Sequence, residues 1–331
     1  MTRVAVLGAG SWGTALALVL ARNGHEVALW GRHPEAMAIL KESRVNARYL
    51  PDHALPPAIT PTAELSEALS GCEAVLIAVP SVTFAATCEA LAVNLKPGIP
   101  VIWATKGLAA GGHGLLHEVA QAALPASPLA VLSGPSFAGE VAAGLPTAIA
   151  LASADLAATA NLSALFHDER FRVYTSHDLI GVQLGGAVKN VLAIATGIAD
   201  GLGFGANARA GLITRGLAEV RRLGERLGAQ DATLTGLAGM GDLILTCTDN
   251  QSRNRRFGMA LGQGEIAKQA ETAIGQVVEG VSTARDVNAM AKRVNVEMPI
   301  CSQVYAVLCD RVTPRTAAQY LMDRAPRAEF N

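Results

Sequence analysis

Residues 3–20, RVAVLGAGSWGTALALVL, run from a short aliphatic segment through three closely spaced glycines into an apolar stretch with helical spacing. Gly8, Gly10 and Gly13 form G-x-G-x-x-G directly between a predicted strand and a predicted helix. In that setting each glycine has a task. The first permits the tight turn, the second lets the backbone approach a pyrophosphate, and the third lets helix and strand pack closely. The free amides at the helix N-terminus then face the phosphates. A Gly-rich strand-to-helix turn with no ligand is the plain alternative, and the βαβ context favours a dinucleotide.

Working outward, the first half of the chain repeats short β-branched or aliphatic runs: RVAVL, HEVALW, EAVLIAV, PVIWA, LAVLS, TAIALA and FRVYT. Ala-rich helical stretches separate most of them, the pattern of a largely parallel sheet covered on both faces. After Thr175 the strand pattern stops, and DLIGVQLGGAVKNVLAIATGIADGL opens a series of long helical patterns. The fold expected is α/β, a Rossmann-like doubly wound, largely parallel sheet followed by an all-α domain. The division falls at 1–178 for the dinucleotide-binding part and 179–331 for the helical part, with no Pro- or Ser-rich linker, so the two are expected to pack firmly.

Composition narrows the function classes. The chain has 331 residues, 33 of them Gly, half are hydrophobic and only 4% aromatic, which calls for a core of aliphatic side chains and Ala. A net charge of −1 gives no global reason to bind nucleic acid or a membrane. No run of about 18 uninterrupted apolar residues suggests a membrane span. Cys72, Cys88, Cys247, Cys301 and Cys309 show neither C-x-x-C spacing nor a zinc-type cluster, so no metal is expected and reduced thiols in a cytoplasmic protein fit best. The N-terminus leads straight into the first strand and carries no secretory pattern.

At the end of the second strand, where NAD-specific sites carry Asp or Glu, the sequence reads Gly31-Arg32-His33. A carboxylate repels a 2′-phosphate, whereas an Arg fork bonds phosphate oxygens. Arg32 therefore indicates tolerance of, or preference for, NADP(H); a solvated Arg in a turn before Pro34, or one stacked on adenine, is also compatible.

In the second half, Lys189 is the only formal charge between Asp178 and Asp200. An ammonium buried on an apolar helix has a depressed pKa useful for proton transfer, although a Lys snorkelling from a helix edge has the same sequence signature. Asp242 follows a Gly-rich turn and could orient an ammonium, hydrogen-bond a substrate hydroxyl, or simply cap a helix. Ser252, Arg253, Asn254, Arg255 and Arg256 resemble a helix start that holds a phosphate, or else a solvated basic face. No aromatic residues interleave with them, which argues against single-stranded nucleic acid. Lys106 ends a strand on the ligand side of the sheet, and Gly134, Ser136 and Ala138 form another strand-end turn, both of which are also ordinary connection chemistry. His113 and His117 lack the Glu of a zinc protease motif and read as surface histidines.

Taken together, GAGSWGTALA, ATKGL, SGPSFAGEV, LGGAVKNVLAIATGIADGLGFGANARAGLITRGLAE, GLAGMGDLILTCT, SRNRRFG and VVEGVSTA resemble the bacterial NAD(P)-dependent glycerol-3-phosphate dehydrogenase family over nearly the whole chain. The resemblance implies reversible reduction of dihydroxyacetone phosphate to sn-glycerol 3-phosphate for phospholipid synthesis, NADP(H) or NAD(H) as cofactor, and a homodimer. It implies Lys189 as proton donor, with Lys106 and Asp242 completing the catalytic group and Asn190 and Thr246 as lesser supports. Gly134, Ser136, Lys106, Lys189, Asp242, Ser252, Arg253 and Asn254 would hold substrate. Gly8, Gly10, Ser11, Trp12, Gly13, Arg32, His33, Lys106, Ala138, Arg253, Val277 and Glu279 would line the nucleotide. Gln183 departs from the family's Glu. Dehydrogenases of the β-hydroxyacid or 6-phosphogluconate type share the layout but act on carboxylates, and SRNRRFG and GLAGMGDL favour the phosphotriose. A non-catalytic NADP(H) sensor would have no use for Lys189, Lys106 and Asp242 together.

Overall fold

The computed structural model describes residues 1–112, 114–325 and 328. Among the described residues ten strands lie in the first 176: β1 (Arg3–Leu7), β2 (Glu26–Trp30), β3 (Val45–Asn46), β4 (Leu50–Ala54), β5 (Ile59–Thr62), β6 (Ala74–Ile77), β7 (Val101–Trp103), β8 (Leu129–Ser133), β9 (Thr147–Ser153) and β10 (Phe171–Ser176). Eight form one sheet in the order β10-β9-β8-β7-β6-β1-β2-β5, and β3 and β4 make a separate antiparallel pair. β1 pairs in parallel with β2 on one side and β6 on the other, so the chain reverses its direction across the sheet at this point. In open α/β sheets ligands bind outside the carboxyl ends of the strands at such a reversal.

All seven runs read as strands form strands. Two features differ from the expectation. β5 and the β3–β4 pair carry no clear signal, because the β5 sequence ITPT sits on the sheet edge, where polar residues and a Pro are tolerated. β9 runs antiparallel to β8; the only helix between them, Ala138–Ala142, has five residues, too few to return the chain along the sheet.

Beyond Ser176 every regular element described is helical. The first helix, Leu179–Gly201, begins where Asp178 accepts from the Gly181 amide at 2.7 Å and uses its other oxygen to hold the Gln230 amide at 2.8 Å. It is long and apolar enough to cross a membrane, with mean hydropathy 1.4, but 89% of its most apolar window is buried within the protein, which marks it as a core helix. Glycines set how closely the helix Arg253–Gly262 lies along it. A Cβ on Gly197 would stand 2.2 Å from the Arg255 carbonyl oxygen and one on Gly201 2.3 Å from that of Met259; reciprocally, a Cβ on Gly258 would meet the Ile194 oxygen at 2.2 Å and one on Gly262 the Ile198 oxygen at 2.4 Å. Two backbones thus touch directly, and side-chain packing elsewhere must be built around that spacing.

The sheet and the helices share their cores. Leu108 and Leu115, from the loop after β7, are buried in the helical core with Val191, Val287 and Met290. Val182 and Ala238, from the helical half, are buried with Leu7, Val75 and Trp103 under the sheet.

Candidate active site

The glycine fingerprint forms the crevice expected of it. Gly8 has φ +121°, left-handed territory that disfavours any side chain, and a Cβ there would lie 2.6 Å from the Ala78 oxygen at the end of β6. A Cβ on Gly13 would lie 1.9 Å from the Gly8 oxygen, so helix Ser11–Arg22 can press on the turn only with glycine there. Gly10 has nothing within 4 Å of its Cβ position. The space left open at Gly10, beside the N-terminal amides of a 12-residue helix, is the kind a pyrophosphate fits.

Two side chains from the other half of the molecule reach this crevice. Arg253, at the start of helix Arg253–Gly262, donates to Gln276 Oε1 at 3.1 Å, and Ser11 Oγ lies 3.4 Å from the same oxygen. Burial holds the Arg253 guanidinium below its ordinary pKa, with Glu279 pulling the other way. Burial pushes the Glu279 carboxyl up, while the Ser81 hydroxyl, 3.1 Å away, opposes that shift by donating to it. Arg32 and His33 sit exposed beyond β2 and contact one another, Arg32 Nε donating to His33 Nε2 at 3.0 Å. Val277 is exposed, and Ala138 opens the short helix after β8.

Next to the crevice three charged groups converge. Asp242 is fully buried; one carboxylate oxygen accepts from Lys106 Nζ at 2.8 Å and the other from Lys189 Nζ. Lys189 also donates to Thr246 Oγ1 at 2.9 Å, and Lys106 to the Gly134 carbonyl at 3.0 Å, which Ser136 Oγ bonds as well at 2.9 Å. Lys106 Nζ stands 5.9 Å from the centre of the Trp12 ring, so the lysine that grips Asp242 also borders the nucleotide crevice. Desolvation pulls the Lys189 pKa down to about 7 from its ordinary 10.5, with Asp242 working against the shift and the Lys106 charge adding to it.

The local sequence explains why these groups meet. Asp242 follows a π-helical turn, Leu237–Gly241. In that turn a Cβ on Gly239 would lie 1.9 Å from the Leu234 oxygen. On the facing helix, a Cβ on Gly185 would lie 2.3 Å from the Ala238 oxygen. GLAGMGD and LGG are therefore two sides of one close contact that carries Asp242 onto the helix bearing Lys189. Asn254 is similarly placed by its neighbours: its Nδ2 donates to Asn190 Oδ1 at 2.9 Å, and its Oδ1 accepts from the Gly280 amide at 2.9 Å. Ser252 caps its own helix by accepting from the Arg255 amide at 3.2 Å.

Comparison with known proteins agrees with this geometry. Residues 3–159 match the family profile described as NAD-dependent glycerol-3-phosphate dehydrogenase N-terminus, and residues 178–319 match that of its C-terminus. The chain belongs to this dehydrogenase family. Among its relatives is a protein of Halorhodospira halophila named glycerol-3-phosphate dehydrogenase [NAD(P)+], 57% identical over 99% of this chain and 98% of the relative. Another of the same name, from Serratia proteamaculans, is 54% identical over 98% of this chain and 96% of its own. The crystal structure of glycerol-3-phosphate dehydrogenase from Coxiella burnetii superposes with a TM-score of 0.95 at 50% identity, covering 98% of this chain and 99% of that one.

In this dehydrogenase the residues of the SRNRRFG segment divide by task. Arg253 faces the crevice, whereas Arg255 is buried and bonds Asp200 Oδ2 at 2.6 Å, a structural ion pair. His117 is half-buried, not a surface residue: its amide donates to Gln183 Oε1 at 3.0 Å and its ring Nδ1 lies 3.1 Å from Gln183 Nε2, and burial lowers its pKa. Gln183 Nε2 also donates to the Leu179 carbonyl at 2.7 Å, which the family's Glu could not do. His113 lies outside the described residues. Sequence reasoning missed Ser81 and Gln276. Ser81 follows β6 at the ligand end of the sheet and was findable by that rule; Gln276, neutral and just ahead of VVEGVSTA, gave no signal.

Proposed function

We propose that this dehydrogenase reduces dihydroxyacetone phosphate to sn-glycerol 3-phosphate reversibly, with Lys189 as the proton donor in reduction and the acceptor in oxidation. The observation that carries the reading is the buried Lys189–Asp242–Lys106 cluster beside the Gly8–Gly13 crevice. NAD(P)H, when bound, supplies the hydride to the carbonyl carbon. As negative charge then develops on the carbonyl oxygen, two ammonium groups sharing one carboxylate leave a net positive site to stabilise it. Lys189 transfers its proton to that oxygen; Asp242, held by Lys106 and the Asp242 turn, keeps Lys189 aimed and does not itself exchange the proton. A lysine whose pKa is near 7 exists in both forms near neutral pH, which suits one group to both directions.

The substrate phosphate is assigned to Arg253 and the amides that open helix Arg253–Gly262, with Ser252 and Asn254 fixing that end and Gly134 and Ser136 bounding the other side. Ser11, Trp12, Ala138, Val277 and Glu279 are assigned to the nucleotide, and Arg32 with His33 to its 2′-phosphate in NADPH. The reading divides the chain at residue 178, and includes a homodimer and a cytoplasmic setting in phospholipid precursor synthesis, on the family resemblance.

Replacing Lys189 tests the assignment. Lys189→Ala is expected to keep NADPH binding and lower kcat by roughly 10² to 10⁴-fold. Lys189→Arg should stay impaired, since a guanidinium does not release its proton near neutral pH. A variant with near-normal kcat and a raised KM for dihydroxyacetone phosphate would make Lys189 a substrate-binding group only.

A further inference from the structure

We infer that Asp286 is a positioning residue that fixes Lys106 by clamping the loop that carries it. Lys106 directly follows β7, and the chain beyond it crosses to the helical half before returning to the sheet through helix Leu116–Ala123. Asp286 is buried in helix Glu279–Arg293, and its Oδ1 accepts from the Gly111 amide at 2.9 Å. The loop lies directly on the helix backbone there: a Cβ on Gly112 would stand 2.5 Å from the Asp286 carbonyl oxygen and 3.0 Å from the Met290 nitrogen. Leu108 and Leu115 are sunk in the helical core on either side of this contact.

The same helix holds the neighbouring loop. Glu279 lies seven residues before Asp286, two turns along the same face, and accepts from Ser81 Oγ in the turn after β6. The two loops press on each other, since a Cβ on Gly107 would lie 2.5 Å from the Ser81 Cβ. One helix face therefore sets both strand-end loops, and Lys106 is five residues from the Gly111 anchor. The contact from Lys106 Nζ to Asp242 Oδ2, 2.8 Å, bridges the sheet and the helical half. Its length is fixed only if the loop cannot slide on the helices that carry Asp242 and Lys189. Misplacement of a catalytic group by about 1 Å costs as much as roughly 100-fold in rate.

This inference rests on the role proposed for Lys106, so a double-mutant cycle on the full-length enzyme separates the two. Asp286→Ala is expected to lower kcat by roughly 10- to 100-fold with NADPH affinity unchanged. Asp286→Asn, which keeps an acceptor for the Gly111 amide, should restore most of that loss. In a Lys106→Met background Asp286→Ala should cost little more, because both act through one ammonium. If Asp286→Ala does not fold, Asp286→Glu, which keeps the charge and displaces the oxygen, replaces it in the cycle. Additive losses, or a fall in NADPH affinity and melting temperature with kcat intact, would overturn the role of Asp286. A Lys106→Met enzyme with unchanged kcat would overturn the reading on which it rests.

Discussion

Asp242 is a carboxylate with no solvent exposure holding two ammonium groups that come from different halves of the chain. Burying such charges is strongly unfavourable unless each is paired and hydrogen-bonded, and here Thr246 and the Gly134 carbonyl complete the set. Beyond β2, Arg32 is exposed and needs no such compensation. Arg32→Asp is expected to weaken NADPH by roughly 1.5 to 3 kcal/mol, the loss of one charge-assisted contact, and to leave NADH nearly unchanged. Measuring the dissociation constants of both cofactors checks this; equal weakening would remove the 2′-phosphate role. What was legible at this scale was chemistry within one segment. Lys189 stood out as a solitary charge on an apolar helix, and Lys106 by its place at a strand end. That the two share Asp242 was not legible, because 53 and 136 residues separate Asp242 from its partners. Gln276 was missed for a similar reason: its only distinction is what lies across the crevice from it.

At the scale of elements, some glycines make room for the protein's own backbone, whereas Gly10, in the crevice, has open space at its Cβ position. Gly258 belongs to the first group, and Gly258→Ala forces a methyl against the Ile194 carbonyl 2.2 Å away. Overpacking of this kind costs roughly 1 to 3 kcal/mol, so its melting temperature should fall measurably. Gly10→Ala meets nothing within 4 Å at a backbone conformation open to Ala, φ −81° and ψ −176°. It should melt close to the parent and yet bind NADPH at least about tenfold more weakly, since the added methyl occupies the pyrophosphate approach. Normal NADPH binding by Gly10→Ala would move the pyrophosphate elsewhere. The eight-stranded sheet was readable in the sequence wherever strands were buried on both faces, because burial demands a continuous apolar run. β5 escaped because its four residues, ITPT, are interrupted by a Pro that a sheet edge tolerates, whereas β10 on the other edge keeps the readable run FRVYT; the direction of β9 is set by the shortness of its connection rather than by its own residues. The mutual glycine contacts between helices Leu179–Gly201 and Arg253–Gly262 were also invisible to periodicity, which reports a face but not its partner.

For the whole molecule, the proposed mechanism depends on the sheet and the helices being one body. Lys106 comes from a strand end, Lys189 and Asp242 from the helical half, and Arg253 reaches back to Ser11 through Gln276. Shared cores, with Leu108 and Leu115 in one and Val182 and Ala238 in the other, hold that arrangement without a linker. In the proposed mechanism Lys189 is the point where it becomes chemistry. Burial lowers its pKa to about 7, so the protonated form that the proposed mechanism uses in reduction dominates below that pH and the neutral form that it uses in oxidation dominates above it. The decisive measurement is kcat against pH in both directions. Reduction should be level below about pH 7 and fall roughly tenfold per unit above it, while oxidation should rise over the same range and level off above about 7. Limbs of the same sign in both directions, or a reductive limb that appears only near the ordinary lysine value of 10.5, would contradict proton transfer by Lys189.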